Sequence, residues 1–285
     1  MHTKFIAEVS SNHSCDLERC MCFIEEAAKS GCDAIKFQLF TLEKLFSPEA
    51  LSHNPSLIER KAWELPLDFL PTISKKCKSL EILFGCTPFD LDAVDQLLTY
   101  VDFYKVASYE LLWDDLLIKV ASTGKPMIIS TGMATVKEIE HAVKVCRNSG
   151  AHDLTVFHCT SAYPTPYYEA NLGAIETIRS IPGVDKVGWS DHTVEVGVIN
   201  RAIQKFNCCA VEFHFDLDGL GAEFGPGHCW LPQQIKKVIS DTRISEKADG
   251  SGVKEPVPSE IPDRDWRADP EDGLRPLKSK RILLK

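Results

Sequence analysis

Short β-rich runs recur along this chain of 285 residues, and each is followed by a longer segment with helical spacing. Such alternation of strand and helix is the signature of a parallel α/β fold. We count eight units, which allows either a closed (β/α)₈ TIM barrel or an open, doubly wound sheet. The predicted strands span residues 4–8, 34–38, 82–86, 103–106, 127–130, 155–158, 186–189 and 210–214.

Two connecting segments carry local signals of a helix. Residues 16–30 place apolar side chains on one stripe, and Gly31 stands where such a helix would end. Residues 135–149 begin with a possible capping box between Thr135 and Glu138. The sequence therefore predicts helices in both places.

The repeats occupy residues 1–244, and roughly 250 residues are typical of a single (β/α)₈ unit. We predict a barrel domain over 1–244 and an extended, polar C-terminal tail over 245–285, where no further repeat is visible. Residues 46–71 form a longer connection than usual, which predicts an extra loop with a short helix over the active site.

Composition and charge exclude several classes of protein. The chain is 44% hydrophobic and 26% charged, which fits a large core rather than disorder. It has no apolar run of about 18 residues and no signal-peptide pattern, so we expect a cytoplasmic protein without a membrane partner. A net charge of -9 argues against nucleic acid as a partner, and 11 scattered cysteines predict reduced thiols.

Polar residues cluster where the predicted strands end. In a barrel these positions meet at one mouth, the C-terminal face, whereas in an open sheet they would spread along an edge. The pattern favours the barrel and an enzyme. The residues concerned are Glu8, Lys36, Gln38, Thr87, Lys105, Ser108, Glu110, Ser130, His158 to Ser161, Ser190, His192, Glu212 and His214.

Lys36 and Lys105 end apolar strands, where an ammonium group is costly to bury unless it faces an anion or a carboxylate. Two such lysines suggest a phosphate or carboxylate ligand, with neutral hydroxyl donors from neighbouring strand ends completing the site. The alternative is that each lysine is paired to Glu8 or Glu110.

His192 and His214 end consecutive strands, so both imidazoles could approach one divalent ion. Asp191 and Glu212 beside them favour this hypothesis, because carboxylates orient metal ligands or activate bound water. A structural, hydrogen-bonded role is the alternative for each histidine. We expect the same structural role for His158, and it also stays open for His13 and His228.

Several segments taken together resemble the N-acetylneuraminate (sialic acid) synthase family. These segments run in order along the whole barrel, from about residue 6 to residue 231. The family includes members of the spore-coat and surface polysaccharide type. The segments are IAEVSSNH, DAIKFQLF, TPFD, FYKVASYEL, GKPMIISTGMAT, HCTSAYPTP, GWSDHT and EFHFDLD.

The resemblance implies a (β/α)₈ barrel that joins phosphoenolpyruvate to N-acetylmannosamine or a related sugar with the help of Mn²⁺ or a similar ion. The products would be a nine-carbon 2-keto acid and phosphate, and a homodimer is common in the family. By this resemblance His192 and His214 bind the metal, and Gln38 and Tyr163 lie near the sugar. Phosphoenolpyruvate would be held by Lys36, Thr87, Lys105, Ser108, Ser130, Ser161 and Ser190.

The chemistry agrees with these residues. The metal would act as a Lewis acid on the aldehyde oxygen while the enol carbon of phosphoenolpyruvate attacks. Positive charge then develops at the phosphate-bearing carbon, where water adds. A carboxylate such as Glu212, Glu8 or Glu110 would orient or deprotonate that water.

The chain departs from the family pattern in three places. Ser161 replaces the usual Asn of the H-C-T-N segment, and Gly227 stands where many members have an Asp that reaches the sugar. The residues after 244 are too few for the antifreeze-like domain of longer members, and Arg267 or Arg275 is a possible substitute for the arginine that this domain lends. Two alternatives follow: a 3-deoxy-aldulosonate-type synthase that uses another aldose, or a catalytically silent barrel with a binding role.

Overall fold

Eight parallel strands close into a barrel in the computed structural model, which describes residues 2–284. Each strand pairs with the next along the chain, and β1 also pairs with β8 in parallel, which closes the sheet. The predicted (β/α)₈ fold is therefore confirmed, and the open sheet is excluded. The strands are β1 Lys4–Glu8, β2 Ala34–Leu39, β3 Leu83–Pro88, β4 Phe103–Val106, β5 Met127–Ser130, β6 Leu154–Cys159, β7 Lys186–Asp191 and β8 Ala210–Phe215.

The observed strands differ from the predicted ones only at their ends, by one or two residues. A short strand, β9 (Cys229–Trp230), was not predicted, and it pairs in parallel with the end of β8 on the outside of the closed ring. Two residues are too few to leave a periodic signal in the sequence.

Helices connect the strands, and the predicted caps are present. Asp16 accepts hydrogen bonds from the first turn of α1, and Gly31 ends that helix at a φ of 88°. Thr135 and Glu138 form the predicted capping box of α7. The helices are α1 Leu17–Ser30, α2 Leu42–Leu45, α3 Pro48–His53, α4 Leu70–Ser79, α5 Leu91–Leu97, α6 Asp114–Ser122, α7 Val136–Asn148, α8 Ala174–Arg179, α9 Val196–Gln204, α10 Pro232–Ala248 and α11 Lys278–Ile282.

The long connection after β2 holds α2, α3 and two 3₁₀ helices, Pro55–Trp63 and Leu67–Phe69. Ser47 caps α3 by accepting a hydrogen bond from the amide of Ala50, and Pro48 occupies the first turn, where a missing N–H costs nothing. The extra segment that the sequence predicted is therefore present.

The period of two along each strand sorts side chains between the barrel interior and the outer helical layer. Six apolar residues form the lower interior cluster, and the outer core lies between strands and helices. Gly85 and Gly188 make room in the interior, since a Cβ would lie 2.2 Å from the Phe103 ring at the first and 2.4 Å from the Phe157 ring at the second. The interior residues are Ile6, Ala34, Phe103, Ile128, Phe157 and Ala210.

The chain divides into two compact units, Met1–Ile244 and Ser245–Lys285. The sequence predicts an extended tail in the second unit, but this unit contains the 3₁₀ helix Pro258–Trp266 and α11. Asp269 is buried there, and its carboxylate accepts hydrogen bonds from the amides of Glu271 and Lys278. All 11 cysteines are free thiols. Within residues 2–284, no helix has the length and apolar character needed to cross a membrane.

Candidate active site

A cavity of about 390 Å³ opens at the C-terminal ends of the strands. Its floor is built by interior positions that follow the apolar cluster along each strand, two residues further on. All of the residues that the sequence predicted to be catalytic, to bind a substrate or to ligate the metal line this cavity, with the exception of Ser161. Those that line it are Glu8, Lys36, Gln38, Thr87, Lys105, Ser108, Glu110, Ser130, Tyr163, Ser190, His192, Glu212 and His214.

Lys36 is buried on β2 and forms an ion pair with Glu8 on the adjacent β1. Its Nζ also donates to Thr87 Oγ1 on β3 at 2.9 Å, while Gln38 Nε2 donates to Glu8 Oε1 at 2.8 Å. Burial acts to lower the pKa of Lys36, but the Glu8 carboxylate raises it above its usual range. Lys36 is thus a charged ammonium with two of its three donors in use.

Lys105 on β4 makes the second ion pair, with Glu212 on β8. Its Nζ lies 3.2 Å from Glu212 Oε1, which also accepts from Ser190 Oγ at 3.1 Å. Burial acts to raise the pKa of Glu212, but Lys105 and Lys36 outweigh it and lower the pKa to about 2. Lys36 and Lys105 are therefore both paired to carboxylates, which was the alternative to ligand binding, and both also line the cavity.

Four polar atoms of the cavity have neither a hydrogen-bond partner nor an ion pair among the described residues. They are Ser130 Oγ, Glu110 Oε2, Glu212 Oε2 and His228 Nδ1, all of them out of contact with bulk solvent. Leaving a buried polar atom unpaired costs about 1–3 kcal/mol. Such a set around one cavity is therefore typical of a site that binds a polar ligand.

Glu110 is the last residue of the short 3₁₀ helix Ser108–Glu110 after β4 and is partly buried. Desolvation raises the pKa of its carboxyl to about 7, against smaller opposing effects of a backbone hydrogen bond and Lys105. A group with this pKa can both give and take a proton near neutral pH. Glu110 and Glu212 therefore differ in protonation although they line the same cavity.

His192 and His214 lie side by side, with ring centroids 5.2 Å apart. His192 Nδ1 is 2.9 Å from the carbonyl oxygen of Thr160, and His214 Nδ1 is 3.0 Å from Glu223 Oε2. Both acceptors fix the proton on Nδ1, which leaves the two Nε2 lone pairs free for a metal ion. The donor set therefore fits the metal that the sequence suggested.

Glu223 lies in the loop after β8 and was not singled out from the sequence. Besides His214, it accepts from Ser10 Oγ at 2.7 Å, and its own amide donates to Asn12 Oδ1. Burial acts to raise its pKa, but the hydrogen bond to His214 and the nearby imidazole of His228 hold it far below the usual range. The only signal in the sequence is that Glu223 is an acidic residue in a glycine-rich segment shortly after His214.

His228 also lines the cavity, with its ring centroid 4.8 Å from that of His214. Its Nε2 is 3.8 Å from Glu223 Oε2. Tyr163 packs against all three imidazoles, at centroid distances of 4.2 Å from His192, 5.1 Å from His228 and 5.8 Å from His214. A cluster of three histidines under one tyrosine ring thus replaces the pair that the sequence suggested.

Two residues from the sequence analysis lie elsewhere. Ser161 does not line the cavity, and its Oγ packs so close to Gly132 that a Cβ there would lie 2.1 Å from it. Asp191 does not face the histidines, because its two oxygens accept from Trp189 Nε1, Trp230 Nε1 and the turn that follows β7. The expectation that Asp191 orients the metal ligands is therefore wrong.

Two further histidines have structural contacts. His158 Nε2 lies 3.0 Å from the carbonyl oxygen of Ala170, and its ring packs against Trp189. His13 is fully buried, accepts from the amide of Cys15, and has its pKa lowered to about 4 by desolvation. Neither lines the cavity.

The connection after β2 contributes a wall that sequence reasoning described only as a cover. Phe46, Arg60 and Trp63 line the cavity, and the Arg60 guanidinium stacks on both aromatic rings at 5.5 and 5.2 Å. Within residues 2–284, no carboxylate forms an ion pair with Arg60. It is therefore a cation available to a ligand, in contrast to Lys36 and Lys105.

Comparison with known proteins gives a consistent picture. The model of the NeuB family matches residues 23–254. N,N'-diacetyllegionaminic acid synthase of Campylobacter jejuni is 35% identical over 273 residues, covering 90% of this chain and 80% of the relative. N-acetylneuraminate-9-phosphate synthase of Drosophila melanogaster is 31% identical, covering 98% and 76%.

A solved structure agrees with these matches. The crystal structure of N-acetylneuraminic acid (sialic acid) synthetase from Leptospira borgpetersenii, in complex with citrate, superposes with a TM-score of 0.80 and 29% identity. The alignment covers 92% of this chain and 90% of the other. The likeness therefore extends over the barrel and its cavity.

Proposed function

Since the chain belongs to the NeuB family, we propose that it is a metal-dependent synthase that condenses phosphoenolpyruvate with an amino-sugar aldehyde. The acceptor is N-acetylmannosamine or a related sugar, and the products are a nine-carbon 2-keto sugar acid and phosphate. The relatives described above are named as synthases of sialic-acid-type sugars, which supports this class of enzyme.

One observation carries the proposal: two buried lysines share a cavity with two imidazoles whose Nε2 atoms are free. Phosphoenolpyruvate carries a carboxylate and a phosphate, and it needs several donors. Lys36 retains one N–H and Lys105 retains two beyond their present contacts. Ser130, whose hydroxyl lacks a partner among the described residues, adds a neutral donor.

A divalent ion, Mn²⁺ or one like it, would be held by His192 and His214. When bound it supplies Lewis-acid polarisation of the aldehyde. Glu223 orients His214, and the Thr160 carbonyl orients His192, through their Nδ1 protons. Each imidazole is thereby kept in the tautomer that has its lone pair on Nε2.

The carboxylates have separate roles in the reaction. A bond forms between the enol carbon and the aldehyde carbon, the aldehyde oxygen gains a proton, and positive charge develops at the phosphate-bearing carbon. Glu212, ionised because its pKa is low, stabilises that charge and accepts a hydrogen bond from water through Oε2.

Water then adds to this carbon and loses one proton, after which the carbon–oxygen bond to phosphate breaks while the remaining hydroxyl proton passes to the departing phosphate and the 2-keto group forms. Glu110 is suited to the proton transfers, because its pKa of about 7 leaves both forms populated at neutral pH. Glu8 keeps Lys36 and Gln38 in position through its ion pair and its hydrogen bond. One proton is taken up and one is released, so the balance closes.

Arg60 gives a specific reason to consider a phosphorylated acceptor, as a second candidate. Its guanidinium lines the cavity without an ion pair to any described carboxylate, and guanidinium binds phosphate through paired hydrogen bonds. The aromatic rings of Phe46 and Trp63 beside it suit the apolar face of a sugar or an acetyl group.

The test is a screen of hexosamine acceptors with phosphoenolpyruvate and Mn²⁺, read by phosphate release and by the mass of the product. N-acetylmannosamine, its 6-phosphate and the diacetylated amino sugars form the panel. Release of phosphate that requires a sugar, with a product heavier than the acceptor by the pyruvate unit, supports the proposal. Phosphate release without any sugar, or none with any member, contradicts it.

Two controls separate the site from contaminating activity. Lys105→Met removes one cavity ammonium at similar volume and should abolish turnover, whereas Lys237→Met changes an exposed lysine of α10 and should not. Chelation of divalent ions should stop the reaction, and Mn²⁺ should restore it.

A further inference from the structure

We propose that His228 is a third ligand of the metal that His192 and His214 hold, an inference that rests on the metal of the proposed function. The resemblance to the synthases implies two histidines and leaves His228 without a role. Three imidazoles with further positions open to substrate oxygens make a complete catalytic ligand set.

The geometry brings His228 to the same point as His214. Ligand atoms of His214, His228 and the neighbouring Cys229 lie within 4.8 Å of one another. Donors around one ion with bonds of about 2.1 Å are separated by about 3–4 Å. His192 is outside that group of three, but its ring lies 5.2 Å from that of His214, which itself lies 4.8 Å from that of His228, so His214 is flanked by an imidazole on each side.

The hydrogen bonding of His228 identifies its free atom. The side chain is 4% exposed, and its Nδ1 has no partner among the described residues. Its Nε2 faces the Glu223 carboxylate at 3.8 Å, and this negative charge favours the tautomer with the proton on Nε2 and the lone pair on Nδ1. A buried nitrogen lone pair beside His214 is what a third ligand requires.

Glu223 connects the two histidines. The same carboxylate oxygen lies 3.0 Å from His214 Nδ1 and 3.8 Å from His228 Nε2. A carboxylate behind a ligating imidazole fixes its tautomer and raises its basicity. One residue therefore prepares two imidazoles for the same ion.

Cys229 is close enough to be considered but has other partners. Its Sγ donates to the carbonyl oxygen of Glu223 at 3.4 Å and accepts from Asn12 Nδ2 at 3.6 Å. Both contacts involve the sulfur itself, so Cys229 is engaged within the loop, whereas His228 Nδ1 has no partner among the described residues. Cys229 is thus a matched control for His228.

The experiment measures metal binding without reference to turnover. Metal-free wild-type protein, His228→Ala, His228→Asn and Cys229→Ser are titrated with Mn²⁺, and free Mn²⁺ is followed by its electron paramagnetic resonance signal. Both His228 variants should bind Mn²⁺ about 10- to 100-fold more weakly. Cys229→Ser should bind it within about twofold of the wild type, because the sulfur is engaged by Asn12 and the Glu223 carbonyl and not by the ion.

Folding of each variant is checked by circular dichroism and thermal unfolding of the metal-free form. X-ray absorption of Co²⁺-loaded wild-type protein counts the imidazoles directly and needs no variant. Three imidazoles support the inference, whereas two, or unchanged Mn²⁺ affinity in His228→Ala, overturn it. A loss of affinity in Cys229→Ser alone also overturns it.

These outcomes are distinguishable from failure of the proposed function. If the wild type binds metal and turns over substrate while His228→Ala binds metal equally well, only the third ligand is refuted. If the wild type binds none of Mn²⁺, Co²⁺ and Zn²⁺, the third ligand and the metal requirement are both refuted. Sugar-dependent turnover of phosphoenolpyruvate then tests the synthase activity separately.

Discussion

Lys105 on β4 and Glu212 on β8 form an ion pair across the interior of the barrel, with Nζ and Oε1 3.2 Å apart. In a closed ring of eight strands these two lie on opposite walls. Both side chains are almost completely buried, and Ser190 adds a hydroxyl to the same carboxylate oxygen. The pair therefore ties opposite walls together at the floor of the cavity.

This pair should show strong coupling in a double-mutant cycle. Lys105→Met leaves a buried carboxylate without its main partner and should lower the free energy of unfolding by about 3–5 kcal/mol. Lys105→Met with Glu212→Gln removes both charges and should be more stable than Lys105→Met alone, although inactive. Urea unfolding measures this, with Lys237→Met in an exposed pair expected to change stability by under about 1 kcal/mol. Equal instability of single and double variants would refute the coupling.

Glu110 should govern the pH dependence near neutrality. Its pKa is raised to about 7 by burial, so its contribution to stability is fully present at acidic pH and is lost as pH rises through 7. Glu110→Gln should therefore gain stability relative to the wild type between pH 5 and pH 8, by at most about 3 kcal/mol. The same variant should lose an ionisation near pH 7 from the profile of kcat/KM.

Chemical denaturation at several pH values provides the stability curve for that comparison. Glu140→Gln, on the exposed face of α7, is the matched control and should run parallel to the wild type. A Glu110→Gln curve that also runs parallel would show that burial does not shift the Glu110 carboxyl.

Glu223 should control metal affinity through the histidines. Glu223→Gln keeps the size of the side chain but weakens its hold on the Nδ1 proton of His214. Metal affinity should fall by about 10- to 100-fold, with the metal-free fold retained. Calorimetric titration with Mn²⁺ measures the affinity. An affinity like that of Glu140→Gln would mean that Glu223 does not support the metal site.

Arg60 should act on the acceptor rather than on phosphoenolpyruvate. Arg60→Ala removes the cation that has no acid partner among the described residues, together with its stacking on Trp63. For a phosphorylated acceptor we expect KM to rise about tenfold or more with kcat little changed, because a charge-assisted hydrogen bond contributes about 1.5–3 kcal/mol.

Arg60→Lys is the conservative variant for that experiment and should recover part of the loss. With unphosphorylated acceptors the KM should change much less. Initial-rate kinetics with each substrate varied in turn separates the two effects, and a rise confined to the KM for phosphoenolpyruvate would assign Arg60 to the other substrate.

Local patterns in the sequence account for the frame of the molecule. The strand runs and helix caps depend on neighbours a few residues away, so the barrel and the caps at Gly31 and Thr135 could be predicted. Ser161 was assigned by the family resemblance and Asp191 by its place next to His192, yet Ser161 Oγ packs close to Gly132 and Asp191 accepts hydrogen bonds from two tryptophan rings. A motif fixes the position of a residue in the chain but not the direction of its side chain.

The sequence by itself determined which residues face the barrel interior, because a period of two carries each strand from an apolar residue to a polar one on the same side, as from Ile6 to Glu8. Only the tertiary structure decided which of these meet. Lys105 pairs with Glu212 because closure of the sheet brings β4 opposite β8. His228 joined the histidines because packing of the loop after β8 fixes loop side chains that no periodicity describes.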